Sequence, residues 1–328
     1  MDKFWKDEPL LRADLAAVND LLLKTIATAH PFVRGLLEEQ LRNSGKLLRP
    51  ALAMIGARLG SGEFREKVLR IASVLEMVHL ASLIHDDIID RATLRRGRAT
   101  LYSQVGAKQA VLAGDYLLSK AMTLVNSQEG DLETATVANT FSRLCESELS
   151  QDGAIGDFSI SKATYLRRIG GKTASLFALS GYAGSAVAQA PKSEQYLMHR
   201  IGYNMGMAFQ IQDDILDYNG KAKKLGKEVG RDLLSGIPTL PLLQALHGEL
   251  SRAVEERSLH ALILKGRMTK RRSRQAIALV HHLGGVKSAS EIANAYSIRA
   301  LNDIAKLKSK EASVMLKRLF ERLSNRDY

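Results

Sequence analysis

Cysteine is nearly absent: Cys145 is the only one in 328 residues, so no internal disulfide can form. A lone thiol in an apolar helical stretch reads as core packing, and its solitude points to a reducing compartment. Proline is rare, with six residues, and aromatics make up only 5%. The first scarcity removes most helix breakers. The second removes the stacking platform a nucleic-acid binder uses, and no nucleic-acid motif is present either, so nucleic acid is not expected as a partner. No apolar run is long enough to span a bilayer. The closest, Thr173 to Ala190, is rich in Ala, Ser and Gly and reads as a tightly packed interior helix. The N-terminal Met1-Asp2-Lys3-Phe4-Trp5-Lys6-Asp7-Glu8 is too charged for a secretory signal. These absences predict a soluble, cytoplasmic protein. Strand signals are missing too, since neither alternation nor β-branched clusters recur. No low-complexity linker divides the chain, so a single domain over 1–328 is expected.

What remains is helix-forming sequence dominated by Ala, Leu, Ile, Lys, Arg and Glu. Apolar spacing of three and four predicts helices over Leu10–Ala29, Pro31–Leu41, Ala51–Leu59, Glu66–Asp90, Val105–Val125, Leu132–Ser150, Lys162–Leu166 and Lys192–Tyr218. A loop rich in Gly and Lys follows from Asn219 to Pro241, and the rest is helix broken at Gly284-Gly285. The net charge is +12, and residues 266–328 hold 14 Lys and Arg against 5 Asp and Glu. Such an excess suits either a solvated helical face or an anionic partner: nucleic acid, an acidic membrane surface or a phosphorylated substrate.

Two helices end alike. Asp86-Asp87-Ile88-Ile89-Asp90 closes the first, and Asp213-Asp214-Ile215-Leu216-Asp217 closes the second, 127 residues later. Positions i and i+4 share a helix face, and i+1 flanks it. One such cluster is ordinarily a solvated helix end. Two, each ending an apolar helix and each followed by a basic, Gly-containing loop, point to a cation held by oxygen ligands. Mg²⁺ suits that donor set, taking a few carboxylates, waters and substrate phosphates. Polar stripes continue upstream, with His79 and Ser82 before Asp86, and Gln210 before Asp213. The repetition suggests two halves facing one cavity, as in a large helical bundle.

Cations complement these acids. Lys46 and Arg49 flank a predicted helix start. Arg95-Arg96-Gly97 follows the first cluster. Gly170-Gly171-Lys172-Thr173 resembles the end of a P-loop, but Leu166 stands where the first glycine belongs and no strand precedes it, which excludes an NTPase. At a helix start it could still hold a phosphate through amides and the Lys172 ammonium. Lys227 and Asp232 lie in the loop after the second cluster. Acids with this many cations imply a metal plus a diphosphate.

The ordered pieces resemble the trans-isoprenyl diphosphate synthases over nearly the whole chain. They are Gly45-Lys46, Arg49-Pro50, His79, both acidic clusters, Arg95-Arg96-Gly97, Gly114-Asp115, Lys172-Thr173, Phe209-Gln210, Gly226-Lys227, Asp232-Leu233 and Thr239-Leu240-Pro241. The likeness is greatest to long-chain synthases and to the catalytic subunit of heteromeric heptaprenyl or hexaprenyl diphosphate synthases. It implies an all-α isoprenoid synthase fold, with a large helical bundle around a central cavity. It implies that Asp86, Asp90 and Asp213 contact Mg²⁺ directly, with Asp87, Asp214 and Asp217 in support. Arg95, Lys172 and Lys227 would hold an allylic diphosphate, and Lys46, Arg49, His79 and Arg96 would hold isopentenyl diphosphate. Thr173 and Gln210 would face the developing allylic cation. A dimer is implied, of two copies or of one copy with a small regulatory subunit, and contact with a membrane during product release.

Two positions refine the resemblance. Ile237 stands where the family commonly has a lysine, so one diphosphate contact is missing; the loss resembles catalytic subunits of heteromeric long-chain synthases, which often lack that lysine, or else implies weaker activity. Ala81 and Ser82 are small where short-chain members often place an aromatic floor, so products longer than geranylgeranyl diphosphate are expected. The competing readings are a shorter-chain synthase, a terpene cyclase, a non-catalytic subunit and a nucleic-acid binder.

Overall fold

Long stretches free of proline let helix run through most of the chain. The computed structural model describes residues 4–42, 45–95, 97–126, 134–219, 229–264, 266 and 268–325. Among them are sixteen α-helices and one two-stranded hairpin. The fold is all-α, as expected, and the described residues form two compact units.

The first unit comprises residues 1–141, 176–202 and 303–321. Its helices begin with α1 (Pro9–Ile26), α2 (Pro31–Arg42), α3 (Leu48–Ala57) and α4 (Arg65–Ile89). Leu47 takes left-handed backbone (φ 51°) just before α3, and Pro50 lies in the first turn, where a missing N–H costs nothing. The hairpin Leu94–Arg95/Arg98–Ala99 then precedes α5 (Leu101–Val105) and α6 (Ala107–Asn126). It corrects the expectation of no strands: two residues per strand are too few to show alternation. The helix expected over Val105–Val125 is α6, which starts two residues later, after Gly106 at φ 81°; the short α5 before it was not expected, and Thr100 caps it by accepting from Ser103 N–H.

α4 packs along α6 and against α3 and α1. With the turn before it, the stretch Gly62–Ile89 is long and apolar enough to cross a membrane, which corrects the expectation that no apolar run is, yet most of it is buried inside the protein. Apolar character all round is therefore spent on the core. Helix α7 (Thr134–Asp152) begins in this unit, as does α10 (Lys192–Leu216), and most of α9 (Ser175–Val187) lies in it. The small residues of α9 let it press on α3: a Cβ on Gly184 would collide with the Ala53 carbonyl.

The second unit comprises residues 142–175, 203–302 and 322–328. It holds the second half of α7, α8 (Lys162–Ile169), the latter part of α10, α11 (Arg231–Leu234), α12 (Leu240–Glu249), α13 (Ser258–Ile263), α14 (Lys270–His282) and most of α15 (Gly285–Ile304). Helix α16 (Lys310–Asn325) starts in the first unit. Ser161 caps α8, and Thr269 caps α14. Two apolar clusters knit this unit. Tyr165, Ile169, Met207, Ile211 and Ile215 pack with α12 and α15, while Tyr218 and Leu233 pack with α12, α13 and α14. The loop expected over Asn219–Pro241 contains α11, a single helical turn.

Candidate active site

In the first unit, α4 ends at the first acidic cluster, with Asp90 N–H still bonded to the Asp86 carbonyl. The spacing separates the three acids by environment. Asp87 turns inward and is 6% exposed. Asp86 is half-buried and Asp90 is exposed. Arg95, on the first strand of the hairpin, donates from Nε to Asp87 at 2.8 Å. The hairpin is folded back because Arg91 turns through left-handed backbone (φ 49°) and Ala92 N–H bonds the Asp87 carbonyl. The residue before the cluster is fixed as well. His85 Nε2 lies 3.4 Å from Asp115, and a Cβ on Gly114 would strike its ring.

The cations of α3 are carried by aromatics. Lys46 Nζ sits 4.7 Å over the Phe4 ring, and its carbonyl accepts from Trp5 Nε1 at 2.7 Å. Arg49 stacks 4.9 Å over Phe177. The sequence did not reveal these rings: the first eight residues were read only for the absence of a signal, and Phe177 only as part of a packed interior helix. His79 is half-buried, and Ser82 spends its hydroxyl on the His79 carbonyl at 2.8 Å. Ala81 is fully buried. Arg96 and Lys227 lie outside the described residues.

In the second unit the segment Gly170–Ala174 corrects an expectation. It is not a helix start but a π-turn joining α8 to α9. Its glycines serve close approach: a Cβ on Gly171 would strike Ser147, and one on Gly170 would press on the Tyr203 hydroxyl. The amides are therefore inside helix rather than arranged as a phosphate cradle, and only side chains are presented. Lys172 Nζ pairs with Glu148 of α7 at 2.6 Å. Thr173 donates to Gln210 Oε1 at 2.8 Å, and Gln210 Nε2 donates to Asp214 at 2.8 Å. Tyr165 of α8 donates to the other Asp214 oxygen at 2.6 Å.

The second cluster thus mirrors the first in form. Its i+1 acid, Asp214, is 7% exposed, while Asp213 is exposed. Asp217 accepts from the backbone N–H groups of Arg231 and Asp232, at 3.1 and 3.0 Å. Burial pushes Asp214 up to about 7, and Asp213 adds to the rise; the bonds from Tyr165 and Gln210 oppose it. Asp232 is raised well above the usual carboxylate range by burial, then by Asp214, Asp217 and Asp213. The buried Asp214 and Asp232 thus lie beside Asp213 and Asp217, and Lys172 and Arg231 oppose only part of the rise. Among the described residues no three ligating groups are gathered into a metal cage. Mg²⁺ takes few protein oxygens and leaves its remaining positions to water and phosphate, so the carboxylates present are donors of a kind it accepts.

A model of the polyprenyl synthetase family matches residues 30–280. The chain belongs to the polyprenyl synthetase family. It is a prenyltransferase. It is 33% identical to heptaprenyl diphosphate synthase component 2 of Geobacillus stearothermophilus, across 97% of each chain. Among solved structures it matches geranylgeranyl pyrophosphate synthase from Lactobacillus brevis at TM-score 0.90 and 33% identity, over 98% of this chain and 99% of that one. It also matches a polyprenyl synthase from Caulobacter crescentus complexed with calcium and isoprenyl diphosphate. That likeness has a TM-score of 0.89 and 30% identity, over 100% of this chain and 98% of the other.

Proposed function

We propose that this synthase condenses isopentenyl diphosphate with an allylic diphosphate, Mg²⁺ assisting, to build a long all-trans polyprenyl diphosphate in the cytoplasm. The observation that carries the reading is the crowded second cluster, where burial and repulsion raise Asp214 and Asp232. Asp86, Asp90 and Asp213 are the direct ligands in this reading. Asp87, Asp214 and Asp217, each already engaged by protein donors, are the supports. Bound Mg²⁺ would neutralise diphosphate oxygens and so favour departure of the leaving group.

The chain's own residues do the rest. Arg95, Lys172 and Lys227 hold the allylic diphosphate, and its charge would draw Lys172 from Glu148 and Arg95 from Asp87. Lys46, Arg49, His79 and Arg96 hold isopentenyl diphosphate by its own diphosphate, close to the allylic carbon. The allylic C–O bond breaks with its electron pair leaving on the diphosphate. The isopentenyl double bond attacks the allylic carbon, and a C–C bond forms. A proton is then lost to the departed diphosphate. The Thr173–Gln210–Asp214 chain orients amide and hydroxyl dipoles toward the developing positive charge.

Product length rests on α4. Ala81 lies five residues before Asp86, about 7.5 Å along the helix axis, and neither Ala81 nor Ser82 offers bulk to stop a growing chain. Incubation with Mg²⁺, farnesyl diphosphate and isopentenyl diphosphate, followed by product mass, tests this. Products beyond twenty carbons support the reading, and a twenty-carbon limit would favour the geranylgeranyl alternative. Ala81→Phe shortens the product; unchanged length would sink the assignment of Ala81. Ile237, in place of the family's common lysine, supports a dimer with a small regulatory subunit rather than two copies. Full turnover by the pure chain alone would exclude that requirement.

A further inference from the structure

Nothing in the proposed reaction uses the segment before α1, yet that segment is firmly anchored in the first unit. Trp5, the only tryptophan in the chain, is 1% exposed. Glu8 N–H donates to the Trp5 carbonyl at 3.0 Å, which closes a turn leading into α1. Glu8 itself is buried, and its carboxylate accepts from Arg318 of α16 at 3.0 Å.

The anchored turn meets Lys46 at two atoms. Trp5 Nε1 donates to the Lys46 carbonyl at 2.7 Å, and the Phe4 ring centre lies 4.7 Å from Lys46 Nζ. The Phe4 and Trp5 rings meet edge to face, so Trp5 also orients Phe4. The next residue, Leu47, is buried in left-handed backbone (φ 51°), which its β-carbon disfavours. Such backbone persists only where its surroundings hold it. The Trp5 bond holds the peptide before Leu47, and burial holds its side chain. Arg49 rests instead on Phe177 of α9, so separate elements order the two cations.

We infer that, on the reading that gives Lys46 to isopentenyl diphosphate, Trp5 and Phe4 are positioning residues for that substrate and act through Lys46. A lysine side chain has many rotamers, and ordering it at the moment of binding costs affinity. The Trp5 bond fixes the direction in which the side chain leaves the backbone. The Phe4 face orders the ammonium without cancelling its charge. Two of the cations given to the allylic diphosphate, Arg95 and Lys172, are ordered differently, by Asp87 and Glu148. Loss of either aromatic contact therefore weakens one substrate and spares the other.

The test is steady-state kinetics of the full-length protein with Mg²⁺, varying isopentenyl diphosphate and farnesyl diphosphate in turn. Trp5→Phe keeps a ring and removes the N–H. It should raise KM for isopentenyl diphosphate roughly fivefold and leave KM for farnesyl diphosphate unchanged. Phe4→Leu should raise the same KM roughly threefold, while Phe4→Tyr, which keeps the ring face, retains the parent value. Far-UV circular dichroism and the thermal midpoint check each fold, and the half-buried Phe4 carries the test if Trp5→Phe does not fold. Lys46→Ala checks the underlying assignment and should raise KM for isopentenyl diphosphate at least about tenfold. If it does so while Trp5→Phe and Phe4→Leu behave like the parent, the inference is overturned and the assignment stands. If Lys46→Ala also leaves that KM unchanged, both fall. An equal rise for both substrates overturns the inference too, because general loosening produces it. In a Lys46→Ala background, Phe4→Leu should add nothing, and a further rise would show that the ring does not act through Lys46. Tryptophan emission, which reports on Trp5 alone, gives a readout without turnover. Isopentenyl diphosphate should shift it; no shift, or one that farnesyl diphosphate matches, overturns the inference.

Discussion

The two acidic clusters share a five-residue spacing and the same inward turn of the second acid, yet the protein treats them oppositely. Asp87 is answered by a charge, the Arg95 guanidinium at 2.8 Å. Among the described residues the hydrogen bonds to Asp214 come from neutral donors, the Tyr165 hydroxyl and the Gln210 amide, while Lys172 acts on it through its charge and Asp213 and Asp232 crowd it. The first cluster carries part of its own counter-charge on the hairpin; in the second, burial and the repulsion among Asp213, Asp214, Asp217 and Asp232 are opposed by the charges of Lys172 and Arg231. Identical motifs therefore supply different electrostatic starting points, set by what the chain after each helix brings back. After α4 it brings an arginine, and after α10, among the described residues, it brings two backbone amides and another aspartate.

The sharpest attack on this comparison is removal of the outward acids. Asp86→Ala and Asp213→Ala should each lower kcat/KM roughly a thousandfold with an unchanged helical circular dichroism spectrum. Near-normal turnover in either variant removes that residue from the metal site. The inward acids should then differ in sign. Without divalent cation at neutral pH, Asp87→Asn destabilises by about 1 kcal/mol, a value held down by the part-exposed Arg95. Asp214→Asn stabilises by about 1 kcal/mol because a desolvated, crowded charge is removed. Denaturant midpoints of both variants shifting the same way would break the comparison.

The pH dependence follows the same difference. A carboxylate raised to about 7 in the folded state, from about 3.9 unfolded, favours folding fully below the lower value. That contribution is lost as pH rises through the higher one. Without divalent cation, the thermal midpoint should therefore fall as pH rises across this window. The fall should flatten in Asp214→Asn and on adding Mg²⁺. A slope unchanged in Asp214→Asn would show that this group is not its source. The smallest effect is expected of Tyr165→Phe. It removes one donor from Asp214 and should cost about threefold in kcat/KM, measured at saturating Mg²⁺.

Much of this was legible in the chain. Three- and four-residue apolar spacing located α1, α2, α4 and α10 to within a few residues, because burial of one helix face imposes that period. The aspartates and their paired arrangement were legible for the same reason, as a spacing on a helix. The glycines of Gly170-Gly171 were misjudged: they resemble a phosphate loop, but close contact with Ser147 and Tyr203 is what they permit. The hairpin at Leu94–Ala99 was missed because two-residue strands leave no period.

By itself, the sequence determined the helical class, the positions of both acidic clusters and the family. Each of these depends on local periodicity or on short ordered motifs. Only the tertiary structure decided which partner each aspartate received. The Arg95, Tyr165, Gln210 and Asp232 environments arise from residues eight, forty-nine, four and fifteen positions away from the acids they touch. Three of those four separations exceed a helical turn, so no local period encodes them. Burial and charge proximity are properties of the packed chain, and they place two motifs of one spacing in different surroundings.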